Sequence, residues 1–149
     1  MKKHLFSCLL LVCVMCVMAF PSSATQQLYC TTDIIHTECG DIEVETVLTV
    51  NNMSARSNYK SINGTQTFKY SGAVIAEVTL SATFGYDGKT AWVISASGSH
   101  TTYDGWQYGG EKITKSGGTA TLTATLSKLT SSNIPVNISL TCSPTGEIS

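Results

Sequence analysis

The sequence is poor in charged residues, which make up 13% of its 149 positions. It has nine basic and ten acidic residues, so the formal net charge is −1, and no cluster of lysine and arginine occurs. Nucleic acids and anionic membrane surfaces attract proteins through concentrated positive charge. We therefore expect neither of them as a partner.

The sequence also lacks the common catalytic motifs. It contains no G-x-S-x-G elbow, no H-E-x-x-H, no P-loop and no glycine-rich dinucleotide fingerprint. Ser99, His100 and Asp104 lie close together, but neighbouring residues of one strand point to opposite faces, which does not suit a catalytic triad. We expect a non-catalytic protein without a cofactor or metal, and keep a small secreted hydrolase as an alternative.

The first 24 residues have the features of an export signal. Lys2 and Lys3 precede an apolar run from Leu5 to Phe20, and the small residues Ser22, Ser23 and Ala24 follow it. This order of charged, apolar and small residues is typical of a signal peptide that is removed on export. We predict a secreted or extracellular protein with no stable membrane span after cleavage.

Three cysteines remain beyond this segment, at Cys30, Cys39 and Cys142. Exported proteins meet an oxidising environment, so a disulfide is expected, and a bridge from Cys142 to Cys30 or Cys39 would close the longest loop. Sequence alone does not choose the pair. The alternative is a zinc site in which His36 joins the three thiolates, although the Cys30 to Cys39 spacing is long for such a site.

Alternating apolar and polar residues predict strands over most of the remaining chain. The clearest segments are residues 42–50, 119–126 and 134–142, whereas residues 25–41 and 51–63 lack the alternation and are predicted as loops. Asn63-Gly64 is typical of a turn before a short strand at residues 65–70.

Asp87-Gly88 predicts a hairpin between a strand that ends near Phe84 and one that begins at Thr90. With a two-residue turn, Phe84 pairs with Ala91, and Trp92 and Ile94 point away from the Phe84 face. Two large apolar side chains side by side in water are unusual, so we expect other elements to cover this second face in part. The alternative is a three-residue bulged loop, which would shift the register and bring Trp92 inward.

These segments define the expected fold class. Six or seven short strands with glycine-containing turns and no helical periodicity predict an all-β protein. The architecture is a small antiparallel β-sandwich, immunoglobulin-like, or an open barrel. We divide the chain into the signal peptide 1–24, a cysteine-containing loop segment 25–41 and a single β-domain 42–149.

One stretch, residues 97–110, concentrates aromatic and polar side chains between glycines. Its flat aromatic faces and polar groups are suited to binding a sugar or an apolar ligand. The candidate ligand-binding residues are His100, Tyr103, Asp104, Trp106 and Tyr108. In the alternative interpretation Trp106 closes one end of the sandwich, while Tyr103 and Tyr108 cover Trp92 and Ile94.

Three segments resemble a loose group of short exported proteins of Gram-positive-type bacteria, each with a signal peptide and one β-rich domain. They are FGYDGKT, KSGGTATLTATL and VNISLTCSPTGEIS, within residues 80–149. The resemblance implies a bacterial, exported protein and carries no activity. We expect a binding or interaction module at the cell surface or outside the cell, with a glycan or a protein as partner. A secreted antimicrobial or toxin-like effector is the second alternative.

Overall fold

The computed structural model describes residues 25–38, 40–51, 58–129 and 131–149. This part of the chain is all-β, as predicted, with eight strands rather than six or seven. The strands are β1 Thr25–Thr37, β2 Gly40–Asn51, β3 Tyr59–Tyr70, β4 Ala73–Tyr86, β5 Ala91–Thr102, β6 Gln107–Ser116, β7 Thr119–Lys128 and β8 Ser131–Thr141. None of the described residues forms a helix that could cross a membrane. The predicted signal peptide, residues 1–24, lies outside the described residues.

The strands form two antiparallel sheets that pack as a sandwich, which confirms the predicted fold class. The larger sheet has the order β1-β2-β3-β4-β5 and the smaller sheet has the order β6-β7-β8. Within each sheet every strand pairs with its neighbours in sequence, so both sheets are meanders and lack the Greek-key connections of immunoglobulin domains. The predicted strands at 42–50, 119–126 and 134–142 all direct their alternate apolar side chains into the core.

Two predicted loops contain strand residues. In the loop predicted at residues 51–63, residues 59–63 belong to β3. Residues 25–37 form β1, which pairs with β2 along its length but lies at the edge of the sheet. An edge strand with most side chains in solvent does not need apolar alternation, and this is why its sequence resembles a loop. Asn63-Gly64 is not a turn but lies inside β3, where Gly64 pairs with Leu80.

Gly64 belongs to a row of side chains that determines how closely the sheets pack. Leu48, Gly64, Leu80 and Gly98 are consecutive partners across β2 to β5 on the core side of the larger sheet. A Cβ atom on Gly64 would lie 2.9 Å from a methyl carbon of Leu140. A Cβ on Gly98 would lie 2.8 Å from a methyl carbon of Leu122. Leucines of the smaller sheet therefore fill the gaps that the two glycines leave.

The hairpin between β4 and β5 is displaced from its predicted register. Tyr86 pairs with Ala91, so the connection spans four residues rather than two, and Phe84 pairs with Val93. Asp87 stabilises this connection because its Oδ1 atom accepts hydrogen bonds from the main-chain N–H groups of Lys89, at 2.9 Å, and Thr90, at 2.7 Å. These bonds hold the pKa of Asp87 below its usual value.

Candidate functional site

Trp106, a residue of the predicted ligand-binding stretch, lies in the core. Its side chain is 7% exposed and belongs to the same apolar cluster as the residues between the sheets. It follows the turn at Asp104-Gly105, and its main-chain N–H donates to the carbonyl oxygen of Tyr103 at 3.0 Å. Lys128 approaches the ring, with its Nζ atom 5.9 Å from the centroid. Trp106 therefore closes one end of the sandwich, as the alternative interpretation proposed, and offers no free ring face.

The other four predicted residues of this stretch do not converge on one site. Tyr103 is 42% exposed, and its hydroxyl donates to Glu77 Oε2 at 3.3 Å, on the side of the larger sheet that faces away from the smaller one. The negative charge of Glu77 raises the pKa of Tyr103. Asp104 is exposed in the turn with φ of +53°, a conformation that aspartate tolerates better than most residues.

His100 and Tyr108 are brought together between β5 and β6. Their rings stack with centroids 3.9 Å apart, and the Tyr108 hydroxyl donates to Glu111 Oε2 at 2.7 Å. Burial raises the pKa of Tyr108, and the hydrogen bond to Glu111 and its charge add to this effect. The same carboxylate lies against Gly98, where a Cβ atom would be 2.6 Å from Oε2. This cluster joins the two sheets along one side, so it has a structural role.

Of the two pairings predicted for Cys142, the one with Cys30 is not formed, and both of these cysteines are free. Cys30 pairs with Val47 and its thiol points toward Glu45 on the solvent side of the larger sheet, whereas Cys142 is buried in the core. The two side chains thus lie on opposite sides of one sheet, which also separates the zinc ligands proposed in the alternative. Burial raises the pKa of the Cys142 thiol. Cys39 lies outside the described residues.

A different surface carries the exposed aromatic side chains. We call the side of the larger sheet that faces away from the smaller sheet the outer face. Gly85 of β4 pairs with Tyr59 of β3 on one side and with Trp92 of β5 on the other. Tyr59 is 49% exposed and Trp92 is 44% exposed.

Gly85 explains the position of the Trp92 ring. A Cβ atom on Gly85 would lie 2.5 Å from Cε2 and 2.7 Å from Nε1 of Trp92, so the indole lies directly over this glycine. An aromatic ring that covers a strand glycine shields the exposed main chain. The ring thus covers Gly85 while 44% of the Trp92 surface remains exposed to solvent. Ile94, 50% exposed at the bulge of β5, extends the apolar area, and we call Tyr59, Trp92 and Ile94 the aromatic platform.

Hydroxyl groups occupy the next rows of the outer face. Ser61, Thr83 and Ser95 are consecutive partners across three strands, and the Ser61 and Thr83 hydroxyls are 2.9 Å apart. Two rows further on, Thr65 and Thr79 repeat this contact, also at 2.9 Å. Each hydroxyl has two acceptor lone pairs and one proton, so a cross-strand hydrogen bond leaves it able to bind a further polar group.

At the far end of these rows, the outer face forms a shallow polar hollow of about 210 Å³. The hollow is lined by Thr65, Glu77, Thr79, Ser99, His100 and Thr101. It therefore combines several hydroxyls with one carboxylate. No group of three histidine, cysteine or acidic side chains in the described part of the chain is placed to hold a metal ion.

The positive charge of Lys69 on the outer face is neutralised by neighbouring carboxylates. Lys69 of β3 contacts two carboxylates of β2, Glu45 at 2.9 Å and Glu43 at 3.6 Å. The hydrogen bond and the positive charge of Lys69 lower the pKa of Glu45, and the same contact raises the pKa of Lys69. Between this cluster and the aromatic platform, the outer side of β3 carries hydroxyl and amide side chains.

Comparison with known proteins gives no match to a family model, to a curated protein or to a solved structure. The functional interpretation therefore depends on the geometry of this chain alone.

The aromatic platform was not among the predicted site residues, although the sequence held a signal for it. The predicted hairpin already directed Trp92 and Ile94 away from the core, and the structure confirms that direction. We expected other elements to cover them, in the alternative interpretation Tyr103 and Tyr108, but Trp92 and Ile94 both remain exposed. Tyr59 lay in a predicted loop. Its position beside Gly85 and Trp92 could not be predicted without knowing that β3 begins at Tyr59.

Proposed function

We propose that this protein is a non-catalytic, exported binding module whose outer face binds a neutral glycan chain. The observation that carries the proposal is the Trp92 indole, which lies flat over Gly85 and exposes its other face beside Tyr59. Flat aromatic side chains supply large contact areas at small conformational cost, and tryptophan and tyrosine are the residues most enriched at binding hot spots. The apolar face of a sugar ring is a suitable partner for such a surface.

The rows of hydroxyls next to the platform support a chain-like ligand rather than a single sugar. Along β5, about seven residues separate Trp92 from Ser99 in the polar hollow, which corresponds to roughly 20 Å at the usual rise of a strand. A ligand that stacks on the platform would thus reach the hydroxyls of Ser95 and Thr83 first and the hollow last. This arrangement suits an extended, hydroxyl-rich polymer.

The charge distribution favours a neutral glycan over an acidic one. Lys69 is engaged by two carboxylates, and Glu77 adds negative charge at the hollow. An anionic polysaccharide would meet no free cation among the described side chains of these central rows and would be repelled at the hollow. The predicted export signal is consistent with a ligand at a cell surface or outside the cell.

The proposal predicts that Trp92→Ala weakens glycan binding by at least about tenfold, or roughly 1.4 kcal/mol. The loss is expected because the variant removes the stacking surface without touching the core. The measurement is retention of the purified protein on insoluble cellulose, chitin, xylan and bacterial cell wall, followed by titration with soluble oligosaccharides of whichever polymer retains it.

The matched control is Tyr29→Ala, which removes an aromatic side chain of similar exposure, 53%, from β1 outside the outer face. This control should bind like the unmodified protein, and both variants should keep the same circular dichroism spectrum. Equal retention of Trp92→Ala and the unmodified protein on every polymer would contradict the proposal. Retention on none of the four polymers would contradict it as well.

A further inference from the structure

The two sheets differ in width, and this leaves a slot along one edge of the smaller sheet. The larger sheet has five strands and the smaller has three, with β8 as the end strand that lies over β3 and β4. Beyond β8, the core side of β1 and part of β2 has no facing strand among the described residues. The resulting groove has a volume of about 610 Å³ and is open to solvent along its length.

The walls of the slot are mainly apolar. Leu28 and Tyr29 of β1 and Leu48 of β2 form one wall, and Ile138 of β8 and Ile148 form the other. Leu28 and Tyr29 are 45% and 53% exposed, which is unusual for large side chains on the core side of a sheet. No charged side chain in the described part of the chain lines the slot. An occupant would therefore be uncharged and would bury apolar groups.

The floor of the slot is the free edge of β8, and part of this edge is already paired. The N–H of Thr141 donates to Ser149 O at 2.7 Å, and the N–H of Ser149 donates to Thr141 O at 3.0 Å. With the adjacent bridge between Cys142 and Ile148, residues 147–149 form the start of a fourth strand, antiparallel to β8. This pairing ends at Thr141 within the described residues.

In β8, the main-chain groups of alternate residues before Thr141 face the same side of the strand as those of Thr141. In an antiparallel strand, alternate residues direct both N–H and C=O to one side, so those of Ser139 and Asn137 point into the slot. A side-chain contact supports this geometry, because Gln66 Nε2 donates to Asn137 O at 3.1 Å. Pro135, two residues earlier, lacks an N–H on the same edge, which an end strand tolerates.

Gln66 marks the far end of the slot with an unsatisfied acceptor. Its Nε2 atom is bonded to Asn137, whereas its Oε1 atom is buried without a hydrogen-bond partner among the described residues. A buried carbonyl oxygen without a partner destabilises a protein, so such atoms are rare. Because this oxygen is buried, the Gln66 amide would have to rotate toward the slot to accept an N–H of an occupant.

We propose that the slot binds an extended peptide, which adds to the edge of β8 as the continuation of the short strand 147–149. The peptide would run antiparallel to β8, pair with Ser139, and place alternate apolar side chains against Leu48 and Tyr29. Such strand addition takes its affinity from main-chain hydrogen bonds and its specificity from alternate side chains. This site is separate from the outer face and does not depend on the proposed glycan binding.

The test uses the full protein and an acetylated, amidated five-residue peptide of alternating threonine and valine, labelled for fluorescence anisotropy. In the proposed register the threonine N–H groups face β8 and the valine side chains face the wall. N-methylation of the threonines should weaken binding at least about tenfold, whereas N-methylation of the valines, the matched control peptide, should change it little. Equal binding of both methylated peptides, or no binding of the unmethylated peptide at millimolar concentration, overturns the proposal.

Amide hydrogen exchange provides a second measurement that needs no variant. The Ser139 amide should exchange fast in the free protein and at least tenfold more slowly with the peptide bound, whereas Leu140, which bonds to β7, is protected in both states. Unchanged exchange at Ser139 under saturating peptide would place the peptide elsewhere and overturn the proposed strand addition.

Discussion

Each of the two tryptophans follows a glycine-containing turn, yet their environments are opposite. Trp106 comes directly after Gly105 and turns into the core, where it is 7% exposed. Trp92 is the second residue of β5 and lies over Gly85, with 44% of its surface in solvent. The two side chains point to different sides of the sandwich. Trp92 pairs with Gly85 on the outer face, whereas Trp106 points from its turn into the space between the sheets.

This contrast predicts different accessibility to acrylamide. The Trp106→Phe variant, in which Trp92 alone reports, should show long-wavelength emission and efficient quenching. The Trp92→Phe variant should show blue-shifted emission and weak quenching, because Trp106 is shielded by the core. Equal quenching of the two folded variants would contradict the assignment of Trp92 as exposed and Trp106 as buried. As a control, acrylamide should quench both variants efficiently when they are unfolded in urea.

Among the strands, β3 depends on a glycine for packing rather than for a turn. Gly64 has an ordinary extended conformation, but Leu140, Ile138 and Leu48 surround the position that a Cβ atom would occupy, at 2.9 to 3.1 Å. A side chain at this position would force the two sheets apart or displace Leu140. The residue therefore limits the spacing of the sandwich.

We expect Gly64→Val to destabilise the protein by about 1–3 kcal/mol, the usual result of overpacking a core. The matched control is Gly109→Val, because Gly109 lies in β6 and, its chain neighbours aside, no atom of the described residues lies within 4 Å of its Cβ position. Urea unfolding followed by circular dichroism measures both. A stability of Gly64→Val equal to that of Gly109→Val would show that the sheets tolerate the added side chain.

The β4–β5 hairpin is expected to contribute a pH-dependent stability. The pKa of Asp87 is lowered in the folded protein, mainly by main-chain hydrogen bonds from Thr90 and Lys89. A lowered folded pKa stabilises the protein above the unfolded pKa, and this stabilisation is lost as the pH falls through the folded pKa. Urea midpoints should thus be higher for the unmodified protein than for Asp87→Asn at about pH 7 and should converge near about pH 2.

Asp104→Asn is the control, since this residue occupies the other aspartate-glycine turn and has no comparable network in the described structure. Its urea midpoint should follow that of the unmodified protein between the two pH values. A constant difference between Asp87→Asn and the unmodified protein at every pH would show that the charge of Asp87 has no role.

At the scale of the whole molecule, alternation in the sequence was sufficient to predict an all-β sandwich and most of its core. It was not sufficient for β1, because an edge strand buries too few side chains to require a repeating pattern. The dipeptide Asn63-Gly64 predicted a turn and lies inside β3 instead, since a glycine needed for sheet packing has the same local sequence as a turn glycine. The aromatic platform depends on contacts between β3, β4 and β5, and the bulge at Thr83 and Phe84 sets its register.

The meander order of the strands has a consequence for how the chain reaches this fold. Every ladder joins strands that are adjacent in sequence, so each sheet can assemble from hairpins that close short loops, at low entropic cost. The slow event is then the docking of one finished sheet on the other, when Leu140 and Leu122 enter the gaps above Gly64 and Gly98. A side chain at Gly64 disturbs the contact between the sheets and not the hairpins themselves. Gly64→Val should accordingly raise the rate of unfolding more than it lowers the rate at which the hairpins form.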